Sequence, residues 1–142
     1  MRMLSGLLAG HTGIFTLVGD AALSRRPMER IRKPLTAIGA SIDLTDGHEP
    51  ITLHGGPLTA IDYTTPIPSA QVKTAVLFAG LQAQGTTTVR EAIRTRDHGE
   101  LALRAFGANV ERAKDSVSIG GGQRLHRLEG TFPGVISSRA FF

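Results

Sequence analysis

Ser69 and Gln71 have the chemistry and the position to bind an anion. They follow Pro66 and Pro68 and open a run of helix-forming residues. The apolar members of that run recur at the spacing of one helical face: Val72, Ala75, Val76 and Ala79. At a helix start, unpaired backbone N–H groups and the positive end of the helix dipole favour an anion. An ordinary N-cap also uses serine, so this stretch by itself favours a capped, buried helix over a ligand site.

Two arginines beside further predicted helix starts provide matching cations. Arg26 precedes Pro27, a residue favoured in the first helical position, and the apolar spacing predicts a helix from there to Gly39. Arg96 lies in Thr95-Arg96-Asp97, which opens another predicted helix. A guanidinium presents a planar fork of donors to carboxylate or phosphate oxygens. Without further context, a solvated surface charge is the commoner role for an arginine.

Composition limits the kinds of protein that this chain can be. It has 142 residues, 41% of them hydrophobic, no cysteine, and a formal net charge of +4. These values predict one globular domain without disulfides or thiolate metal ligands. No apolar run approaches the roughly 20 residues of a membrane helix, and no secretory signal is evident, so we expect a soluble, intracellular protein. The clustered arginines fit nucleic acid or a phosphorylated metabolite as partner.

Alternating helices and strands are predicted to position these groups. Helices are expected to end at Gly10 and Gly80, and the helix that begins at residues 95–97 should bear Leu101, Ala105 and Phe106 and end at Gly107. The predicted strands cover residues 13–19, 41–44, 51–54, 58–63, 85–89, 109–111 and 116–119. Asp46-Gly47 is a hairpin signal between the strands over 41–44 and 51–54, and the spacing of these strands predicts a loop longer than a two-residue turn.

An internal repeat organises these elements. The stretch Leu35–Ile42 matches Leu103–Val110, and Ile51–Gly56 matches Val117–Gly122. We therefore predict one incomplete unit over residues 1–56, one complete unit over 57–122, and at 123–142 the start of a third unit or of a crossover to another domain. The third copy would begin with a strand over residues 125–132 and break off in a helix over 137–142. Such a long period favours a compact pseudo-symmetric domain over an open array.

Three motifs in the same order resemble those of the 5-enolpyruvylshikimate-3-phosphate synthases. They are Arg25-Arg26-Pro27-Met28, Ser69-Ala70-Gln71 and Thr95-Arg96-Asp97-His98, and the similarity extends over residues 1–142. The resemblance implies an α/β (α+β) fold of repeated βαβαββ units, an inside-out α/β barrel with helices inside and sheets outside. The family has two such domains of three units each, and this chain would be most of one domain.

The same resemblance implies a reaction and a set of binding residues. The family transfers an enolpyruvyl group from phosphoenolpyruvate to the 5-hydroxyl of shikimate 3-phosphate, in the cytoplasm and without metal or organic cofactor. By resemblance, Arg26 and Gln71 would bind phosphoenolpyruvate, and Ser69, Ala70, Gln71 and Arg96 would bind shikimate 3-phosphate. Glyphosate is a further candidate ligand. The family's catalytic groups have no counterpart here, so we expect no significant turnover from these residues without the second domain.

Three residues are left without an assigned role by this comparison. Arg2 resembles the arginine that follows the family's glyphosate-contact segment, but that segment is not in this sequence. Val135 stands where the family usually has aspartate, and Arg139 where it usually has a small residue. These two departures concern the crossover to the second domain.

The remaining charged residues have simpler explanations. The five histidines show no paired metal-ligand spacing. Asp97 and Glu100 have the spacing of a capping box, and Lys73 is expected to be solvated or to extend its amine to solvent.

Three alternatives remain open at this stage. They are a related enolpyruvyl transferase that acts on UDP-N-acetylglucosamine, a small basic RNA-binding module, and a degenerate or engineered piece of such an enzyme.

Overall fold

The computed structural model describes residues 1–129, which form five helices and nine strands. The helices are α1 (Arg2–Ala9), α2 (Ala21–Ser24), α3 (Glu29–Ala37), α4 (Ala70–Gly80) and α5 (His98–Ala105). The strands are β1 (Gly13–Leu17), β2 (Ser41–Thr45), β3 (His48–Gly55), β4 (Leu58–Thr59), β5 (Asp62–Thr64), β6 (Ala83–Gln84), β7 (Thr86–Arg90), β8 (Val110–Arg112) and β9 (Ser116–Gly120). No helix within residues 1–129 is long and apolar enough to cross a membrane.

The strands form two similar sheets and one short parallel pair. The first sheet has the order β1-β3-β2 and the second β5-β7-β9-β8, so the last three strands of each repeat pair in the same order. All pairs in these sheets are antiparallel except β5 with β7. The predicted strand over residues 58–63 is interrupted at Ala60 and Ile61, and its two halves, β4 and β5, pair in different sheets. The repeated arrangement confirms the predicted class of incomplete α/β fold.

The central element is α4, which packs against α1, α3 and α5. Every residue from Val72 to Leu77 is buried. Helix α1 lies closest to it, because a Cβ atom added to Gly6 would be 2.0 Å from the carbonyl oxygen of Ala75. Gly6 therefore permits direct contact between the two backbones.

Helices α1 and α4 run in the same direction. Arg2 contacts Gln71 near their first turns, and Gln82 Nε2, just beyond α4, donates to the carbonyl of Leu7 at 2.8 Å. The N-terminal ends of both helices consequently lie at one end of the molecule. Their unpaired N–H groups face the same region.

Apolar residues form two clusters that share α4. Val72, Ala75 and Ala79 belong to the first cluster, with residues of α3, β2 and β3. Val76 and Leu77 belong to the second, with residues of β7, α5, β8 and β9. The helix is apolar on nearly all sides because it separates and completes both clusters.

The link between β2 and β3 differs from its prediction. Thr45 pairs with His48, so only Asp46 and Gly47 form the turn. Their φ angles are +50° and +76°, which match a type I′ hairpin turn. The prediction of a longer loop was wrong because the strands extend further than their apolar residues indicate.

The start of α3 also differs from its prediction, and α5 buries only part of its apolar surface. Helix α3 begins at Glu29, so Arg26 lies in the link between α2 and α3 rather than at the helix start, and its N–H donates to the Leu23 carbonyl. In α5, Leu103 is buried, whereas Leu101 and Phe106 are 52% and 37% exposed. The face of α5 that carries Leu103 is therefore the one that packs against the core.

Several predictions fall on residues beyond 129. These are the helix over residues 137–142, the roles of Val135 and Arg139, and the later part of the strand over 125–132. The described part of that strand, residues 125–129, forms no regular structure.

Candidate functional site

One open groove gathers all five residues that the sequence analysis assigned to ligands. Its volume is about 590 Å³. It is lined by Arg26, Pro68, Ser69, Ala70, Gln71, Arg94, Thr95 and Arg96. The start of α4, the α2–α3 link and the segment between β7 and α5 therefore meet at one place. The structure brings these residues together around one groove, and their assignment to particular ligands remains a prediction.

The start of α4 supplies neutral donors to this groove. Ser69 is the N-cap, with an extended backbone, and its Oγ accepts a bond from Val72 N–H at 3.4 Å. Ala70 and Gln71 are the first two helical residues, so their N–H groups have no acceptor within the helix. These groups suit an anionic oxygen at the helix N-terminus. The predicted capped, buried helix and the predicted ligand cradle are thus compatible features of one element.

Arg2 orients the side chain of Gln71. Its Nη1 donates to Gln71 Oε1 at 3.1 Å, and its Nη2 donates to the Pro27 carbonyl at 2.7 Å. The Gln71 amide oxygen is occupied, which leaves its NH₂ group as the donor available to a ligand. Burial, together with the nearby charges of Arg30 and Arg26, lowers the pKa of Arg2, but a guanidinium stays charged at neutral pH.

The three motifs assign no role to Arg2, although the internal repeat contains a signal for one. The repeat aligns α1 with α4, because Leu8-Ala9-Gly10 matches Phe78-Ala79-Gly80. That alignment places Arg2 in the first turn of α1 at the position equivalent to Val72, one residue after Gln71 in α4. Applying the repeat to site residues, rather than only to elements, would have found it.

The segment between β7 and α5 carries the exposed cations of the groove. Arg94 and Arg96 are both exposed, and Arg96 precedes α5 by two residues. The hydroxyl of Thr95, between them, donates to Glu91 Oε1. Together with Arg26, these arginines give the groove a positive lining that contains no carboxylate. Such a lining favours an anionic ligand.

A buried ionic cluster lies behind this segment. Lys73 has no exposed side-chain surface, and its Nζ lies 2.9 Å from Glu91 Oε2 and 2.8 Å from Glu100 Oε1. The contact with Glu91 has hydrogen-bond geometry, and that with Glu100 is a close ion pair. The predictions of a solvated Lys73 and of a capping box that uses Glu100 were both wrong, because these charges pair in the interior.

Asp97 contacts Arg112 instead of capping α5. Arg112 Nη1 donates to Asp97 Oδ2 at 2.8 Å, and the Asp97 side chain accepts no capping bond from α5. The hydrogen bond from Arg112 is the main reason that the pKa of Asp97 is held below its usual value. A bidentate bond from Arg90 lowers the pKa of Asp62 in the same way.

Other candidate sites have weaker chemistry. Within residues 1–129, no group of three or more histidine or acidic side chains is placed to hold a metal ion. A second cavity, of about 180 Å³, is lined by Glu29, Arg30, Lys33, Tyr63, Thr65, Pro66, Ile67 and Val72. Its lining includes the first residue of α3, but that residue is the carboxylate-bearing Glu29, and apolar groups make up much of the rest. The arginine-lined groove contains no carboxylate and is therefore the better candidate for an anion.

Comparison with known proteins gives matches to one family over the whole chain. A family model described as EPSP synthase (3-phosphoshikimate 1-carboxyvinyltransferase) matches residues 1–142. The chain is 60% identical over 142 residues to the 3-phosphoshikimate 1-carboxyvinyltransferase of Koribacter versatilis, and 47% identical over 144 residues to that of Bacillus subtilis. These matches cover 100% of this chain and 33% and 34% of the relatives, so the chain spans about a third of the length of the curated relatives it matches.

A solved structure gives the same result at the level of the fold. The EPSP synthase from Acinetobacter baumannii superposes with a TM-score of 0.86 at 47% sequence identity. The match covers 89% of this chain and 29% of that chain.

Proposed function

The chain belongs to the EPSP synthase family, and we propose that it provides the shikimate 3-phosphate site and part of the phosphoenolpyruvate site of a 3-phosphoshikimate 1-carboxyvinyltransferase. The observation that carries this proposal is the meeting of Ser69, Gln71, Arg26 and Arg96 around one basic groove at the start of α4. Both substrates are anions with phosphate groups, which is the chemistry that this groove favours.

Shikimate 3-phosphate would lie against the start of α4. The Ser69 hydroxyl and the first N–H groups of the helix would donate to its phosphate, and Arg96 would supply the opposing charge. The Gln71 NH₂ group, directed by Arg2, would donate to a ring hydroxyl. Arg26, on another wall of the groove, would bind phosphoenolpyruvate together with Gln71.

The contribution of these residues to the reaction is to bring two anions together. A C–O bond forms between the 5-hydroxyl oxygen and C2 of phosphoenolpyruvate by addition, and elimination then breaks the bond from C2 to phosphate. The fixed guanidinium and N–H groups offset the repulsion between the substrates and the entropy lost in orienting them. Proton transfer would be performed by groups of the remaining part of the enzyme, and none of the described residues is assigned that step.

The same family membership supports the wider setting of the proposal. The partners would be phosphoenolpyruvate, its competitor glyphosate, and the second domain that closes over the substrates, and the location would be the cytoplasm. No metal or organic cofactor is part of this proposal.

Titration with shikimate 3-phosphate tests the proposal directly. We expect shifts of backbone amide resonances at residues 69–71 and saturable binding by calorimetry. Arg96→Ala should weaken binding by about tenfold or more, because a charge-assisted bond contributes about 1.5–3 kcal/mol. The matched control is Arg25→Ala, since the Nε of Arg25 donates to the Ala21 carbonyl outside the groove.

Two results would contradict the proposal. One is equal weakening by Arg96→Ala and Arg25→Ala, which would indicate only nonspecific charge attraction. The other is a response to UDP-N-acetylglucosamine or to single-stranded RNA without a response to shikimate 3-phosphate, which would favour one of the alternatives.

A further inference from the structure

Both ends of the arginine-bearing segment contact the same buried ammonium group. The segment runs from Glu91, directly after β7, to Glu100 in the first turn of α5, and it carries Arg94 and Arg96 between them. Lys73 Nζ lies within 2.9 Å of a carboxylate oxygen of each glutamate. One side chain therefore fixes the two points at which the segment leaves and re-enters regular structure.

The lysine belongs to the helix turn that forms the opposite wall of the groove. Its N–H donates to the Ser69 carbonyl at 3.0 Å, so it lies one turn beyond the N-cap of α4. The ammonium thus joins the wall that carries Ser69 and Gln71 to the wall that carries Arg96. The Thr95 hydroxyl, which donates to Glu91, extends this connection to the residue between the two arginines.

The energetic cost of this cluster calls for an explanation other than stability. The side chains of Lys73, Glu91 and Glu100 are 0%, 5% and 0% exposed. Removing charges from water costs several kcal/mol per ion, and well-packed apolar residues of similar volume are often as stabilising or more so. Within residues 1–129, the Glu100 carboxylate accepts no hydrogen bond, so Lys73 is its one close charge partner there. Apolar replacements would lack the directional contacts by which Lys73 holds the two ends of the segment, at Glu91 and Glu100.

We propose that Lys73, Glu91 and Glu100 are positioning residues that hold the Arg94–Arg96 segment against the start of α4, so that the Arg96 guanidinium faces the bound phosphate. This inference rests on the proposed function, because it assigns to the cluster the alignment of a ligand-binding arginine. None of the three touches the ligand in this arrangement.

A double-mutant cycle tests the coupling between the cluster and Arg96. The first change is the triple variant Lys73→Met, Glu91→Gln, Glu100→Gln, which removes all three charges together and keeps the side-chain volumes similar. The second is Arg96→Ala. Shikimate 3-phosphate affinity is measured for the parent chain, each variant and the combination, and each melting temperature is recorded.

We expect the triple variant to stay folded and to bind shikimate 3-phosphate about tenfold more weakly. In that background, Arg96→Ala should lower the affinity by less than about twofold. Such non-additivity is the signature of residues that act through one another. The NMR signal of Arg96 Nε–Hε should also show greater mobility in the triple variant, a readout that needs no ligand. Thr95→Val and Thr95→Ser provide a milder pair. The serine keeps the hydroxyl that donates to Glu91, so the valine variant should bind shikimate 3-phosphate more weakly than the serine variant and show greater Arg96 mobility.

The outcomes separate the two proposals. If the parent chain does not bind shikimate 3-phosphate, the proposed function fails and this inference falls with it. If the parent binds in an Arg96-dependent manner but the cycle is additive, or Arg96 mobility is unchanged, the cluster is only structural and the proposed function stands. If the triple variant does not fold, the Thr95 pair decides, and equal binding by its two members would overturn the inference.

Discussion

Lys73 carries its charge at a position where none of its side chain reaches solvent. The sequence predicts the burial of α4 from the apolar spacing around this lysine, yet a single lysine in such a helix is ordinarily assigned to solvent. Its partners, Glu91 and Glu100, lie on other elements and far along the chain. Apolar periodicity shows only which residues of one helix or strand share a face, so it cannot predict that Lys73 pairs with Glu91 and Glu100.

Lys73→Met should strongly destabilise the chain. It leaves two buried carboxylates without their shared cation, a change that costs about 3–5 kcal/mol when one partner of a buried pair is removed. Urea unfolding followed by circular dichroism measures the loss. Lys33→Met removes the same charge from an exposed position on α3 and should change the free energy of unfolding by less than about 0.5 kcal/mol. Equal effects of the two substitutions would contradict the assigned ion pairs.

Asp97 should titrate below the ordinary aspartate value of 3.8, mainly because Arg112 donates to its carboxylate. Since the folded pKa lies below the unfolded one, this contact stabilises the fold above about pH 4, and the stabilisation disappears as the pH falls through the folded pKa. Carboxyl ¹³C NMR measures the pKa directly. Arg112→Gln should raise the pKa of Asp97 and leave that of Asp62, which is bound by Arg90, unchanged. A parallel rise at Asp62 would indicate a general charge effect instead.

Among the elements, the contact between α1 and α4 sets the geometry of the site. It brings Arg2 of α1 to Gln71, which lines the groove at the start of α4. The contact depends on Gly6, which sits against the backbone of Ala75. The sequence shows a glycine within a short helix, but only the packing shows that the position cannot hold a side chain.

Gly6→Ala should therefore separate α1 from α4, although alanine favours helices by about 1 kcal/mol over glycine. Forcing a methyl group into a filled interface typically costs about 1–3 kcal/mol. We expect a lower melting temperature and weaker binding of shikimate 3-phosphate, because Arg2 would no longer direct Gln71. Gly56→Ala is the control, since an added Cβ there meets no atom within 4 Å. A Gly6→Ala variant at least as stable as the parent would show that the helices do not pack as described.

The accuracy of the sequence-based predictions also differs between elements. Helix α4 was predicted closely because Ser69, the prolines before it and the apolar spacing are all local signals. The hairpin at Asp46-Gly47 was predicted with too long a loop, because polar residues such as Thr45 and His48 extend the strands through backbone pairing rather than through hydrophobicity. Arg26 and Arg96 reach the groove, but each lies ahead of its helix. The first residue of a helix depends on capping and tertiary contacts, so the sequence predicts its position only to within a few residues.

In the molecule as a whole, two apolar clusters share one helix, and this arrangement makes the site depend on both repeats. Leu53 belongs to the first cluster and Val89 to the second, whereas α4 contributes to each. Tyr63, the single tyrosine of the sequence, packs against both clusters, and burial raises its pKa. The repeat seen in the sequence predicts two similar units, but not that one helix would complete both cores.

Sharing of α4 should make residues 1–129 unfold as one cooperative unit. We expect Tyr63 fluorescence and far-ultraviolet circular dichroism to give coincident transitions in urea, since loss of either cluster exposes the helix that the other requires. Leu53→Ala, in the first cluster, should shift the single transition by about 2–5 kcal/mol, and Val89→Ala, in the second, should move the same transition by a smaller amount because fewer methyl groups are removed. Two separate transitions, each sensitive to only one of these substitutions, would show that the repeats unfold independently and that α4 does not couple them.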